Sequence, residues 1–339
     1  MVSDGEISRI AGAPRWMIVT SVALVVSLAG ALGIVRATNA RFDAVNRDAA
    51  VTAVLSPASD KVENFLIVGS DSRASADPSD PDYAVVGSES SNPGRRSDSI
   101  IIARVDRSTG DVATMSVPRD LWVEIGDTGH HNKINSAYQK GNDVVVRTVQ
   151  RALNVPVHHF VEIDFGGFKH IVDAIGGVNV CVPHRARDKT IGLFIPRKGC
   201  HLLDGVTALK YVRSRHYEEK YDGTWHLEGT GDVGRGARQR TFMAALARDA
   251  VKHLARRPMD TGRVIDEFTG AVRVDRGLDL LDLARKLRPL GNGGAATWSL
   301  PVSSDMSSGT FVFRMDRDAQ PLLAYFAGLG PAPSTDAGR

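Results

Sequence analysis

Within residues 62–120, opposite charges gather at the ends of three apolar runs. Asp71 and Arg73 follow Phe65–Val68, Arg96 and Asp98 precede Ser99–Val105, and Arg119 and Asp120 follow Val112–Val117. Each run is apolar and β-branched, as a buried strand requires. Asp106–Gly110, between the second and third runs, has hairpin length and ends in glycine. A hairpin sets the start of one strand beside the end of the next, so Asp98 and Arg119 become neighbours. If the first strand shares the sheet and ends on that edge, Asp71 and Arg73 join them. Ligands of open α/β sheets sit outside the carboxyl ends of strands. Two carboxylates among several arginines suit a divalent metal and a polyphosphate held together. Ion pairing at strand ends is the alternative reading of the same spacing.

Helix and strand patterns alternate through the rest of the chain. Strands are expected at Val157–Ile163, Val178–Val182, Ala296–Val302 and Thr310–Arg314. Helices are expected at Asn142–Leu153, Phe165–Ile175, Leu278–Leu287 and Ala319–Leu329. Two more bear on the charged edge. Asp204 caps a helix carrying Arg213 and Arg215, and these reach one site together only if that helix ends near Tyr211. A longer helix from about Gly234 places Arg235, Arg238, Gln239 and Phe242 on one face, with Asp232 just before it. Lys133 and Asn135, in NKIN, belong near the same edge. The pattern implies an α/β fold, a single layered α-β-α domain around a central mixed sheet.

That domain is expected over residues 61–330, after a short polar tail (1–15) and a stalk (36–60), and before a disordered tail (331–339). Trp16–Val35 carries no charge and is long enough to span a bilayer. Ala29-Gly30-Ala31 makes a poor cleavage site, so an uncleaved transmembrane anchor is expected, with the tail cytoplasmic and the domain outside. Cys181 and Cys200 flank a segment that reads as two strands around a turn, and they could pair across it. Disulfides persist outside the cytosol, which fits that topology, although two unrelated buried thiols would give the same spacing. Ala74–Gly94, rich in Ser, Pro, Asp and Gly, is a surface loop beside the edge, either a lid or an insertion.

The formal net charge of +3 is too small to suggest nucleic acid, and no basic stretch is interleaved with aromatics. Gly229, Gly231 and Gly234 spell GxGxxG but follow no strand, so they are not a dinucleotide fingerprint. His130-His131 and His158-His159 lack metal-ligand spacing and read as structural or solvated.

Seven segments, in order, resemble the LytR–CpsA–Psr proteins of the Gram-positive cell envelope. They are VGSDSR, RRSDSII, SVPRD, NKINSAY, FVEIDFGGFKHIVDAIGGVNV, LDGVTALKYVRSR and GRGARQRTF, together spanning most of residues 62–250. The resemblance implies a phosphotransferase at the cell membrane. It would move a glycopolymer from a polyprenyl-pyrophosphate carrier to a peptidoglycan hydroxyl, leaving a phosphodiester. By the same resemblance Asp71 and Asp98 would hold Mg2+, and Arg73, Arg96 and Arg119 would surround the reacting pyrophosphate. Arg213, Arg215, Arg235, Arg238 and Gln239 would complete the substrate cradle. Arg240 departs from the pattern, since many members carry a second glutamine there. Arginine far outnumbers lysine, a usage seen in high-GC actinobacteria, for which the polymer would be arabinogalactan. A hydrolase of the same lipid pyrophosphates, or a non-catalytic wall-polymer receptor, are the competing readings.

Overall fold

The computed structural model describes residues 41–70, 97–228, 231–291, 294–307 and 309–333. The expected anchor, Trp16–Val35, and the Ala74–Gly94 loop lie outside these residues. Among the described residues no helix is long and apolar enough to cross a membrane. Met1–Asp43 forms one unit, of which residues 41–43 are described and helical. Ala44–Arg339 forms the other.

In chain order the second unit opens with β1 (Asn46–Asp48), α1 (Ala49–Thr52), β2 (Val62–Ser70), β3 (Ser97–Asp106) and β4 (Val112–Val117). Next come β5 (Trp122–Glu124), β6 (His131–Lys133), a 3-10 turn (Ile134–Gln139), α2 (Asn142–Leu153), β7 (His159–Ile163) and α3 (Phe165–Ala174). Then follow β8 (Val178–Val182), β9 (Arg185–Asp188), β10 (Leu193–Ile195), β11 (Gly199–Leu203) and α4 (Gly205–Arg213). β12 (Glu218–Tyr221) and β13 (Thr224–Leu227) precede α5 (Gly231–Arg256), α6 (Thr261–Ala271) and β14 (Val272–Asp275). The chain ends with α7 (Leu280–Lys286), α8 (Arg288–Gly291), β15 (Ala296–Ser299), β16 (Val302–Ser307), β17 (Thr310–Met315) and α9 (Gln320–Phe326).

A mixed seven-stranded sheet, ordered β1-β14-β7-β2-β3-β4-β15, forms the middle layer. β2 is central because both its faces are apolar and nearly every residue is buried. It runs parallel to β7 and antiparallel to β3. Leu66, Val68, Ile100, Ile102 and Met115 point into one core, filled by α2 and α9. On the other face α3, α4 and α5 enclose a second core with β8, β9 and β10. The helix starts are set by carboxylate caps. Asp164 accepts from the Gly167 amide, and Asp204 accepts from the Thr207 amide. α3 also packs closely on α6: a Cβ on Gly167 would lie 2.6 Å from Ala271 Cα, so only glycine fits.

Two expectations need correcting. Residues 44–60 are not a stalk: β1 pairs in parallel with β14, Val51 is fully buried, and Ser56 Oγ lies 2.5 Å from Gln150 Oε1. The polar composition misled because the segment is short and one-sided. Cys181 and Cys200, by contrast, pair as expected: they sit opposite each other on β8 and β11, are joined as a disulfide, and enclose β9 and β10, two antiparallel strands around a turn. β9 and β10 leave this pair and join β12 and β13 in a separate sheet, ordered β10-β9-β12-β13. α4 continues past Tyr211 to Arg213, and Ser214 (φ −56°, ψ 125°) leaves helical geometry.

Candidate active site

The strands pair as the hairpin argument requires. In the β2–β3 ladder Gly69 pairs with Ser99, and after a bulge Ser70 pairs with Ser97. Ser70, the last residue of β2, thus meets Ser97, the residue before Asp98. Ile100 pairs with Val117, so Arg119 follows β4 at the same end of the sheet. Asp71, Arg73 and Arg96 lie outside the described residues, as does the side chain of Asp98. Among the described residues no group of three His, Cys, Asp or Glu side chains could hold a metal.

Beside this edge an apolar cavity opens between the sheet and helices α3–α5. Its floor is Ile67, Gly69, Ser99, Ile101 and Ile163, and its roof is Phe165, Phe168, Leu209, Phe242 and Met243. Polar groups enter the lining from a few positions: Asp164, Arg213, Arg235 and Gln239. The Arg213 guanidinium lies 4.3 Å from the Phe165 ring centre, which aligns it along the cavity wall. Gln239 Nε2 donates to the Val212 carbonyl at 3.2 Å, tying α5 to α4.

Other expected cradle residues have different surroundings. Arg238 is 7% exposed, pairs with Glu228, donates to the Ser214 carbonyl at 2.6 Å and lies over Tyr217. Burial lowers its pKa, an effect opposed by Tyr211 and Tyr217. It does not line the cavity, and it joins α5 to the segment after α4. Arg215 is exposed and also lies off the cavity. Arg119 is mostly buried, with Nε 3.7 Å from Asp120, and its carbonyl accepts from the Asn135 amide. Lys133 Nζ reaches Asp120 at 3.1 Å, so the NKIN segment does pack on this edge. Arg240 donates to Ser116 and Ser299 hydroxyls at 2.6 and 2.7 Å, bracing α5 across β4 and β15.

Two features escaped the sequence reading. Asp164 enters the cavity lining from the C-terminal end of β7, and the signal was a carboxylate directly between a strand and FGGF. Beneath the edge, buried Glu162 accepts from Ser70 Oγ at 3.0 Å and Asn142 Nδ2 at 2.8 Å, and also from Tyr138. This network fixes Ser70, the residue before Asp71, and gives Tyr138 of NKINSAY its role. Strand periodicity marks position 162 as inward, but a lone buried glutamate cannot be matched to partners by sequence alone.

Residues 32–323 match the model described as the LytR_cpsA_psr family. The chain is 33% identical over 243 residues to a Corynebacterium glutamicum protein named "Probable cell wall biosynthesis protein LcpB", covering 71% of this chain and 55% of that one. It is 32% identical over 208 residues to the Bacillus subtilis "Polyisoprenyl-teichoic acid–peptidoglycan teichoic acid transferase TagV", covering 59% and 49%. The chain thus spans about half the length of these curated relatives. Among solved structures it resembles the LytR-Csp2A-Psr enzyme from Actinomyces oris, with a TM-score of 0.64 at 26% identity over 84% of this chain and 96% of that chain. The crystal structure of Bacillus subtilis TagV shares the fold, with a TM-score of 0.58 at 24% identity over 81% and 100%.

Proposed function

The chain belongs to the LytR–CpsA–Psr family, and on that basis we propose that it is a phosphotransferase that attaches a cell-wall glycopolymer to peptidoglycan. The observation that carries the reading is the apolar cavity with arginines in its lining, opening beside the Asp71/Asp98 edge. A polyprenyl chain needs a dry, elongated cavity. Its pyrophosphate needs cations where the chain emerges, and Arg213 and Arg235 supply them. Relatives named for wall biosynthesis and for teichoic acid transfer support the substrate class. Arabinogalactan as the polymer rests only on arginine-rich composition.

In the proposed reaction an acceptor sugar hydroxyl attacks the phosphorus nearer the glycopolymer. The bond from that phosphorus to the bridging oxygen breaks, and polyprenyl phosphate leaves with the electron pair. The acceptor proton passes to a base that we leave unassigned. Asp71 and Asp98 would hold Mg2+, which when bound neutralises charge on the phosphate oxygens. Arg73, Arg96 and Arg119 would stabilise charge developing on the transferring group and on the leaving phosphate. We place the domain outside the cytoplasm, tethered by Trp16–Val35; the Cys181–Cys200 disulfide supports an oxidising location.

The test incubates the full chain with Mg2+, a synthetic polyprenyl-pyrophosphate glycan and peptidoglycan fragments. Polyprenyl phosphate and a new phosphodiester should appear together. Asp71→Ala or Asp98→Ala should slow turnover by roughly two orders of magnitude while weakening donor binding far less. Release of polyprenyl phosphate without the phosphodiester would make the protein a hydrolase. No turnover, with tighter donor binding by Asp71→Ala, would make it a receptor.

A further inference from the structure

The sheet β10-β9-β12-β13 has one face turned inward and one left open. On β9, Ala186 and Asp188 are fully buried, so Arg185 and Arg187 project outward between them. On β10, Phe194 is 51% exposed between buried Leu193 and Ile195. The register places Phe194 opposite Arg187, and Lys220 opposite both Arg185 and Trp225. These five side chains therefore share the outer face. The cations lie against the rings. Arg187 sits 3.9 Å from the Trp225 ring centre, Arg185 sits 5.0 Å from Phe194 and 5.6 Å from Trp225, and Lys220 sits 6.0 Å from Trp225.

This face carries more positive charge than it balances. Glu218 pairs with Arg187 at 2.5 Å, but among the described residues neither Arg185 nor Lys220 has a carboxylate partner. Arg185 Nε is buried and has no hydrogen-bond partner among them. The sheet is also bound to the candidate active site. Asp188 accepts from Ser214 Oγ at 2.7 Å and from the His216 amide at 3.0 Å, just past Arg213. Burial opposes ionisation of Asp188, but hydrogen bonds from Thr190, Ser214 and His216 outweigh it and lower its pKa to about 2. β13 runs directly into Glu228, the partner of Arg238 on α5.

We infer that this open face binds the acceptor: a glycan strand bearing carboxylates, which on the phosphotransferase reading is peptidoglycan with its stem peptides. Pyranose rings present apolar C–H faces that stack on aromatic planes, as Trp225 and Phe194 offer. Carboxylates on the strand complement the excess cations, and arginine can take them through two parallel hydrogen bonds. A lipid surface is the less fitting occupant. The cations and Glu218 interleave with the rings, so the face has no continuous apolar patch to insert, which membrane-surface binding needs in addition to charge.

The test is sedimentation of the full chain with insoluble peptidoglycan, with anionic phospholipid vesicles in parallel. Phe194→Ala and Arg185→Glu, both on the outer face, should each weaken peptidoglycan binding about tenfold and leave donor binding unchanged. In the transfer assay they should raise the acceptor KM and leave kcat in place. Circular dichroism and an intact disulfide serve as the check on folding. Unchanged peptidoglycan binding in both variants overturns the inference, as does loss of vesicle binding with peptidoglycan binding intact. The inference rests on the phosphotransferase reading but can fail separately from it. Sedimentation needs no turnover, so weakened binding beside an inactive parent would sink the transferase and leave the surface standing.

Discussion

His159 should make the fold measurably less stable in mild alkali. The ring bridges two carboxylates: Nε2 lies 3.2 Å from Glu63 and Nδ1 lies 3.2 Å from Asp275. Both nitrogens can donate only in the imidazolium form. Burial by itself would lower the pKa, but the hydrogen bonds and charges of Asp275 and Glu63 prevail and raise it to about 9, from an ordinary 6.5. The hydrogen bond from His159 lowers Glu63 to about 2 despite burial, with help from Lys286 Nζ at 2.5 Å. A pKa raised in the folded state stabilises fully below the unfolded value and ceases to do so as pH rises through the folded one. The window therefore runs from about pH 6.5 to about pH 9, and the stability at stake is about 3 kcal/mol. The lowering of Glu63 reflects the same attraction and is not added to it. Urea unfolding at about pH 6 and about pH 10, on the parent and on His159→Gln, isolates this contribution. The stability difference between the two proteins should shrink by about 3 kcal/mol across that range. A difference constant to within about 1 kcal/mol would refute the ionic bridge and leave His159 as a packed neutral ring. Donor binding should not follow this profile, because His159 begins β7 and the cavity lies at its other end.

Replacing Cys181 and Cys200 together by serine should cost about 3 kcal/mol, the loop-closure entropy for a sequence separation of 19, read as a lower urea midpoint under non-reducing conditions. Met243→Trp, which builds into the cavity from α5, should raise the donor KM at least about tenfold while changing stability by no more than about 1 kcal/mol. Unimpaired donor binding by that variant would place the lipid elsewhere.

The meeting of the strand ends was legible because every step used local order. A hairpin of known length and strands of even period fix which ends meet, so Asp98 and Arg119 could be brought together by counting. The i, i+3, i+4 and i+7 spacing likewise put Arg235, Arg238, Gln239 and Phe242 on one side of α5. Which of them turns to the cavity was not legible. Arg238 is diverted by Glu228 and the Ser214 carbonyl, partners chosen by tertiary packing and not by spacing. The β1–β14 pairing was hidden for a related reason: three residues show no periodicity, and their partner is more than two hundred positions away. The four-stranded sheet was missed because its inner alternation is short and broken by charge. Ala186, Leu193 and Ile195 signal a core only after the disulfide has shown where the segment folds back.

The Cys181–Cys200 bridge has a consequence for survival against proteases. β9 and β10 both lie inside the loop it closes. A protease that cut anywhere in residues 182–199 would produce two covalently joined ends, still held by the β8–β11 ladder. The severed Arg185–Phe194 face would stay on the molecule, and the damage would show only after reduction. β12 and β13 lie outside the loop, so a cut between them and α5 would have no such bond across it.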